Sequence, residues 1–446
     1  MMAGKAKDAM QRLLRTGLNA GTEAPRVVGG EGVHFHLADG RRVLDGSNTG
    51  GPLGHGHPRM VAALREAASL PMVSEGWSWT GRDQAAEELF EIGLAGEDSW
   101  AGAVRFCLSG SEANDIALSL SQALTGRQAI ATRERAYHGL VGLARDATVQ
   151  PHWHGGLAAV GRTRLPFPCA PVHVLPPPDG LTYDSATGAG RPSALGLDDV
   201  PGMLAQSAAV ILDYTQGGFY HDGAYQDAVA GIARDNGALW IADEVVTGLG
   251  RAGRPFAFQG GSSRPDIVTL GKGLGGGAVA VAAVILSHDV IREMQGSAWQ
   301  NYGTLRGHPL TMAAVSAYLR ILRDEALLDR VAALEPFYAR RLTEIARRHP
   351  SVCRVAGQGL HWTIELHGPD WRHWKADTAE APIASRVADH ALGLGAVIGT
   401  SGEQTSLFLA PPLLISEAQS ETLLSILDES LAIADREHNA MMEMRA

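Results

Sequence analysis

Between about residues 76 and 322, short apolar runs alternate with stretches whose apolar residues recur every three or four positions. Ala238 to Ala242, "PDIVTL" and "AVAVAAVIL" (278–286) read as strands, whereas Ala113, Ile116, Ala117, Leu120 and Leu124 read as one face of a helix. Such alternation predicts a mainly parallel sheet covered by helices. Upstream, "VHFHLADGRRVLDG" places a D-G pair between strand-like pieces and predicts a hairpin. Downstream, a helical stretch from about 310 to 347 precedes "VCRVAGQGLHWTIEL", a helix near 382–393, "GAVIGT", "LFLAPPLL" and a final helix, an α+β pattern. The Pro-, Gly- and Ser-rich segment 170–200 predicts a long surface excursion. No period of 20–50 residues repeats, which excludes solenoids and propellers.

The expected organisation is therefore α/β: a large domain over 76–322, and a smaller α+β domain built from residues 1–75 and 323–446. A chain of 446 residues with 45% hydrophobic and 19% charged residues has ample material for this core.

A net charge of −10 argues against a phosphate-backbone binder, so no nucleic-acid partner is expected. The N-terminus lacks an apolar signal core, and the longest apolar run is far below the ~20 residues needed to span a bilayer. Three scattered cysteines give neither a disulfide framework nor a thiolate metal site, and a cytoplasmic location is expected. His55 and His57, and His152 and His154, lack carboxylate company in the sequence, so no metal is expected.

Lysine is scarce, and one of only four lies in "TLGKGLGGG". Gly271, Gly273 and Gly276 satisfy a dinucleotide fingerprint, but that motif needs a following helix, and a strand-like run follows instead. The lysine is then the point of interest. Asp243 ends one strand and Lys272 follows another, so an acid and an amine arrive at one sheet edge, where open α/β sheets place ligands. A desolvated lysine can act as a Schiff-base nucleophile, and a carboxylate can hold a pyridinium nitrogen protonated. By itself Asp243 equally fits a turn cap or a partner for arginine. Ser109, Gly110 and Ser111 open the helix after "FCL", and their N–H groups make an anion site; alternatively Ser111 is an ordinary helix cap.

Taken together, "FCLSGSEAND", "AYHG", "DEVVTGLGRAG", "PDIVTLGKGLGGG" and "YGTLRGHPL" resemble the class III pyridoxal-phosphate-dependent aminotransferases, over nearly the whole chain. The resemblance implies the type I fold of pyridoxal-phosphate enzymes, pyridoxal 5'-phosphate as cofactor, amine and carbonyl substrates, and a homodimer with shared active sites. Lys272 would bond to the cofactor and shuttle a proton, and Asp243 would pair with the pyridine nitrogen. Gly110 and Ser111, with Ser109 beside them, would hold the phosphate, joined by Thr304 from a second subunit. Tyr137 and Val245 would cover the two ring faces, with His138 of "AYHG" and Asp213 completing the cofactor set. Core packing is the competing role for Tyr137 and Val245. Trp77 and Trp79 could line the substrate site or pack between subunits.

The chain departs from the family at two linked places. Phe408 stands where members that handle keto or ω-amino acids carry an arginine for substrate carboxylate, and Gly218 stands where the matching glutamate would be. Losing both ends together is consistent with a re-purposed site, since losing one would strand a buried charge. Asp213 replaces a usual Glu and Val246 a frequent Gln near the cofactor's phenolic oxygen. With Asp213 expected to leave an acidic wall, the sequence points to an amino- or oxo-sugar of the aminoglycoside type. The alternatives are an ordinary ω-amino acid, bound by Arg306 or Arg82, and an aminomutase or epimerase reaction.

Overall fold

In the computed structural model the described residues are 25–150, 168–176, 182–183, 190–191, 196–218, 220–366, 381–401 and 405–445, and a seven-stranded sheet carries the middle of the chain. Its strands are β1 (Ala101–Cys107), β2 (Ala129–Arg133), β3 (Val172–Leu175), β4 (Ser207–Asp213), β5 (Leu239–Asp243), β6 (Ile267–Leu270) and β7 (Ala282–Ser287). The spatial order is β1-β7-β6-β5-β4-β2-β3. Strands β6, β5, β4, β2 and β3 run parallel, while β7 is antiparallel to both neighbours. Every residue of β2, β4, β6 and β7 is buried, as expected of a sheet covered on both faces.

Two registers set up the chemistry. Asp243 pairs with Asp213 on one side and with Thr269 on the other, so β4, β5 and β6 end almost flush. The helix α1 (Gly110–Thr125) follows β1, buries Ala113, Ile116, Ala117 and Leu120, and ends at Gly126.

The hairpin forms from His34–Leu37 and Arg42–Asp45, and Ala396–Val397 lies parallel to its second strand. Distant parts of the chain thus share one four-stranded sheet. A third, six-stranded sheet includes Val352–Gln358, His361–Leu366 and Ser406–Leu409, with Phe408 directly opposite Thr363.

Two expectations need correction. The excursion assigned to 170–200 begins with β3, a strand of the central sheet; as an edge strand with an exposed side it lacks the continuous apolar run that marks its neighbours. The helical stretch from 310 to 347 is two helices, Pro309–Asp324 and Leu327–Arg348, broken at Ala326, whose φ of 49° is left-handed. No glycine or proline announces that break.

Candidate active site

Asp243 is buried at the end of β5 and accepts three hydrogen bonds. Asn114 Nδ2 donates to Oδ2 at 2.8 Å, His138 Nδ1 lies 2.7 Å from the same oxygen, and the Val245 N–H donates to Oδ1 at 3.0 Å. A carboxylate offers about four lone-pair sites, so one acceptor position remains for a ligand N–H. The donors are themselves held. Asn114 also donates to the His138 carbonyl at 2.8 Å and accepts from Thr269 Oγ1 at 2.6 Å, while His138 Nε2 sits 2.9 Å from Thr132 Oγ1.

Lys272 follows β6 in the first position of a short 3-10 turn, with a φ of 35° that is costly for a side-chain-bearing residue and marks the site as strained. Burial lowers its ammonium pKa, and the nearby Arg251 charge adds to this, against the opposing pull of Asp243 and Asp213. A less basic amine is a better nucleophile at neutral pH.

The phosphate turn and the lysine loop touch. A Cβ on Gly110 would stand 2.7 Å from Val245 Cγ1, and one on Gly271 would stand 3.3 Å from Gly110 Cα. Only bare backbone fits at this junction, which draws the N-terminus of α1, Val245 and Lys272 together. Gly276 and Gly277 play another part: side chains there would meet Met60 at 2.6 Å and Gly51 at 2.8 Å, so these glycines close the loop on the N-terminal segment and not on a cofactor. Ser109, not Ser111, caps α1, accepting from the Glu112 N–H at 3.2 Å. Gly110 and Ser111 form the first turn of α1, and Ser111 Oγ accepts from the Leu140 N–H at 3.4 Å.

Asp213 does not form the expected acidic wall. Arg133, fully buried at the end of β2, pairs with its Oδ1 at 2.5 Å and also donates to the Gln216 carbonyl at 3.0 Å. Burial works against ionisation, but the Arg133 charge, with His138 and the Thr215 and Gln216 N–H groups, holds the Asp213 carboxyl below its usual range. Its other oxygen is buried without a partner. Tyr137 is half-buried, and burial together with the Asp243 charge raises its hydroxyl pKa.

The other candidates are scattered. Thr304 is exposed, between Tyr302 at 60% and Leu305 at 49% exposure. Trp77 is exposed, whereas Trp79 packs on the main core. Arg82 is spent on the carbonyls of Trp77, Val73, Ser74 and Gly307, and Arg306 on Glu112 at 2.6 Å and Asn301. Neither guanidinium is in reserve for substrate. His55 pairs with Asp45 and His57 with Glu325; His152 and His154 lie outside the described residues. Among the described residues no three His, Cys, Asp or Glu side chains are grouped to hold a metal.

Around Phe408 and Gly218 the side chains are mostly neutral. The Phe408 ring stacks on His361 at 6.0 Å, and a Cβ on Gly218 would lie 3.0 Å from Thr363. Arg354 also borders Gly218, donating to its carbonyl at 2.9 Å, but is paired with Glu365 at 2.9 Å. Behind the site Arg251, buried, donates to the carbonyls of Leu360 at 3.1 Å, Asn48 at 3.1 Å and Pro411.

Asn114, Arg133 and Thr269 were not foreseen. A buried-face Asn inside an otherwise apolar helix stripe, and an Arg ending the run "AIATR", were the available signals.

Residues 20–431 match the family model described as Aminotransferase class-III. The chain is 32% identical over 435 residues to an acetylornithine aminotransferase of Mycobacterium bovis, covering 94% of each. It is 31% identical over 401 residues to a diaminobutyrate–2-oxoglutarate aminotransferase of Rhizobium meliloti, covering 85% of this chain and 82% of that one. Among solved structures, an S-selective transaminase from Arthrobacter sp. superposes with a TM-score of 0.87 at 25% identity, covering 98% of this chain and 99% of that one. The cofactor of this family is pyridoxal phosphate, and the residues present fit it: a carboxylate with one open acceptor site, a depressed lysine, a bare glycine junction and an orphaned buried oxygen on Asp213.

Proposed function

The chain belongs to the class III aminotransferases, and from that premise we propose that it moves an amino group to or from an amino- or oxo-sugar of the aminoglycoside type. The observation that carries this reading is the Phe408 wall, where an aromatic ring stacked on a histidine stands in place of a carboxylate-binding guanidinium.

Bound pyridoxal phosphate supplies an electron sink for the carbon that carries the amine. The chain's residues do the rest. Asp243, fixed by Asn114, His138 and the Val245 N–H, would offer its remaining lone pair to the ring nitrogen and keep it protonated. Lys272 would hold the cofactor through its amine, and its Nζ would serve as the group that holds and moves the proton in the exchange. Gly110 and Ser111 hold the phosphate at the N-terminus of α1, aided by its dipole. Tyr137 and Val245 flank the ring.

The active form in this reading is a cytoplasmic homodimer, its large domain covering 76–322 and its small domain the flanking segments. Exposed Met72, Trp77, Tyr302 and Leu305 support a partner surface, with Thr304 among them reaching the partner's phosphate. No helix among the described residues is long and apolar enough to cross a membrane.

An ω-amino acid substrate is the second reading, favoured by the names of the acetylornithine and diaminobutyrate relatives. The engagement of Arg82 and Arg306 weighs against it. Titration of the holoenzyme with a panel of amines, followed by visible absorbance, separates the two. Conversion by an aminocyclitol supports the sugar reading; rapid conversion by ornithine or GABA without response to aminoglycosides overturns it.

A further inference from the structure

Beside the cofactor residues lies a hydrogen-bonded row that none of the roles above uses. Tyr220 Oη stands 2.6 Å from His361 Nδ1 and 2.9 Å from Thr363 Oγ1, with all three side chains buried. His361 and Thr363 are two apart on one strand and so face the same side of the sheet, the side on which Phe408 stacks on His361 and Gly218 meets Thr363. His361 directly follows Leu360, whose carbonyl is held by Arg251 from the loop after β5.

The row engages one nitrogen of His361 and leaves the other for a ligand, whichever way its protons run. Burial, reinforced by the positive charges of Arg251 and Lys272, lowers the imidazole pKa to about 3, so His361 is neutral. A neutral imidazole has one acceptor and one donor nitrogen. Either Tyr220 gives its single proton to Nδ1 and accepts from Thr363, which leaves the imidazole proton on Nε2, or Nδ1–H donates to Tyr220, whose proton goes to Thr363, and Nε2 is an acceptor. That Nε2 meets no partner among the described residues, yet it is not one of the polar atoms sealed from solvent.

We propose that His361 is a specificity-determining residue whose Nε2 hydrogen-bonds a hydroxyl of the substrate, with Tyr220 and Thr363 as positioning residues that hold its ring. The proposal rests on the sugar reading above and names the contact that would select an oxygen-bearing ring over a bare hydrocarbon one. A site built to hydrogen-bond a hydroxyl rejects the analogue lacking it, because the protein's polar group is then left unpaired.

The test compares 2-deoxystreptamine with cis-1,3-diaminocyclohexane, two ring diamines that differ in their hydroxyls, on the holoenzyme. Single-turnover rates give kcat/KM, and calorimetry on the Lys272→Ala protein gives affinity without turnover. Replacing His361 by Phe keeps the stack and removes the hydrogen-bonding nitrogen, and is expected to lower the hydroxylated-to-bare preference about tenfold or more, in KM more than kcat. His361→Gln, which can still donate or accept a hydrogen bond, should retain most of the preference, and Tyr220→Phe should lose part of it. An unchanged preference in His361→Phe, or an equal fall for both amines, overturns the proposal. A wild-type enzyme that converts ornithine rapidly and ignores 2-deoxystreptamine overturns the sugar reading instead; calorimetry on wild-type and His361→Phe backgrounds then still reads the contact separately.

Discussion

The two sides of the site are built on different terms. On the proposed cofactor side, at the ends of β4 and β5, the two carboxylates are matched: Asp243 has three donors, and Asp213 has Arg133. On the substrate side, the ring of Phe408, the neutral imidazole of His361 and two hydroxyls present no free charge. Charges held by fixed partners suit a reaction in which the same ring must be held at every turnover, because preorganised dipoles need no rearrangement. Hydrogen-bonding neutral groups suit the choice among substrates, where an unmet partner penalises the wrong molecule.

The largest effect comes from removing the amine that the cofactor side serves. Lys272→Ala is expected to cut turnover by roughly 10^4-fold or more while the fold persists, since the phosphate turn and the Asp243 network remain. Mass spectrometry after borohydride reduction should find no cofactor on any lysine; a label on Lys375 would break the assignment. Asp243→Asn should lower kcat by roughly 10^2- to 10^3-fold with cofactor still bound, because an amide cannot stabilise the protonated ring. Near-normal turnover there would move the pyridine contact to another residue.

Arg133→Met tests whether the matched charge matters for folding. It strands Asp213 in the core and should cost about 3–5 kcal/mol, seen as a lower midpoint in urea, with much recovered in Arg133→Met/Asp213→Leu. The pair also predicts a pH window. Asp213 titrates lower folded than unfolded, so its contribution is present above the ordinary carboxylate range and is lost as pH falls through the depressed folded value. The double variant should lack that acid-side loss.

The smallest effect lies just behind the site. Burial pushes Glu244 from 4.5 up to about 7, against hydrogen bonds from Thr247 and the Phe258 N–H. A carboxyl raised on folding favours the native state at low pH, and this advantage is lost as pH rises through about 7, on the order of 3 kcal/mol across the window. Glu244→Gln should flatten that slope and leave activity near wild type. A slope that persists would assign it to another group.

The framework that places Asp243, Lys272 and the Gly-Ser turn was legible because the signals are local: an apolar strand ending in Asp243, another leading to Lys272, and a Gly-Ser turn before a helical stripe. The partners of these residues were not, since Asn114 and Arg133 reach Asp243 and Asp213 across strand order, 129 and 80 residues apart in sequence. The same blindness produced the expected acidic wall: nothing near Asp213 in the chain shows that Arg133 neutralises it. The cap at Ser109 and the strand β3 were misread for a different reason. Adjacent serines compete for one cap, and an edge strand lacks the apolar run of a central one.

Arg251 ties this architecture to the order of synthesis. Its carbonyl partners belong to Asn48, Leu360 and Pro411, and the strand Arg42–Asp45 waits for Ala396–Val397. At ordinary translation speed the ribosome needs roughly ten to thirty seconds to travel from Arg251 to Pro411. During that interval the guanidinium lacks two of its three acceptors and the hairpin keeps an open edge, the kind of surface that recruits other chains. Expression yield should therefore respond to slower translation of the last third and to chaperones that shield the nascent N-terminal sheet.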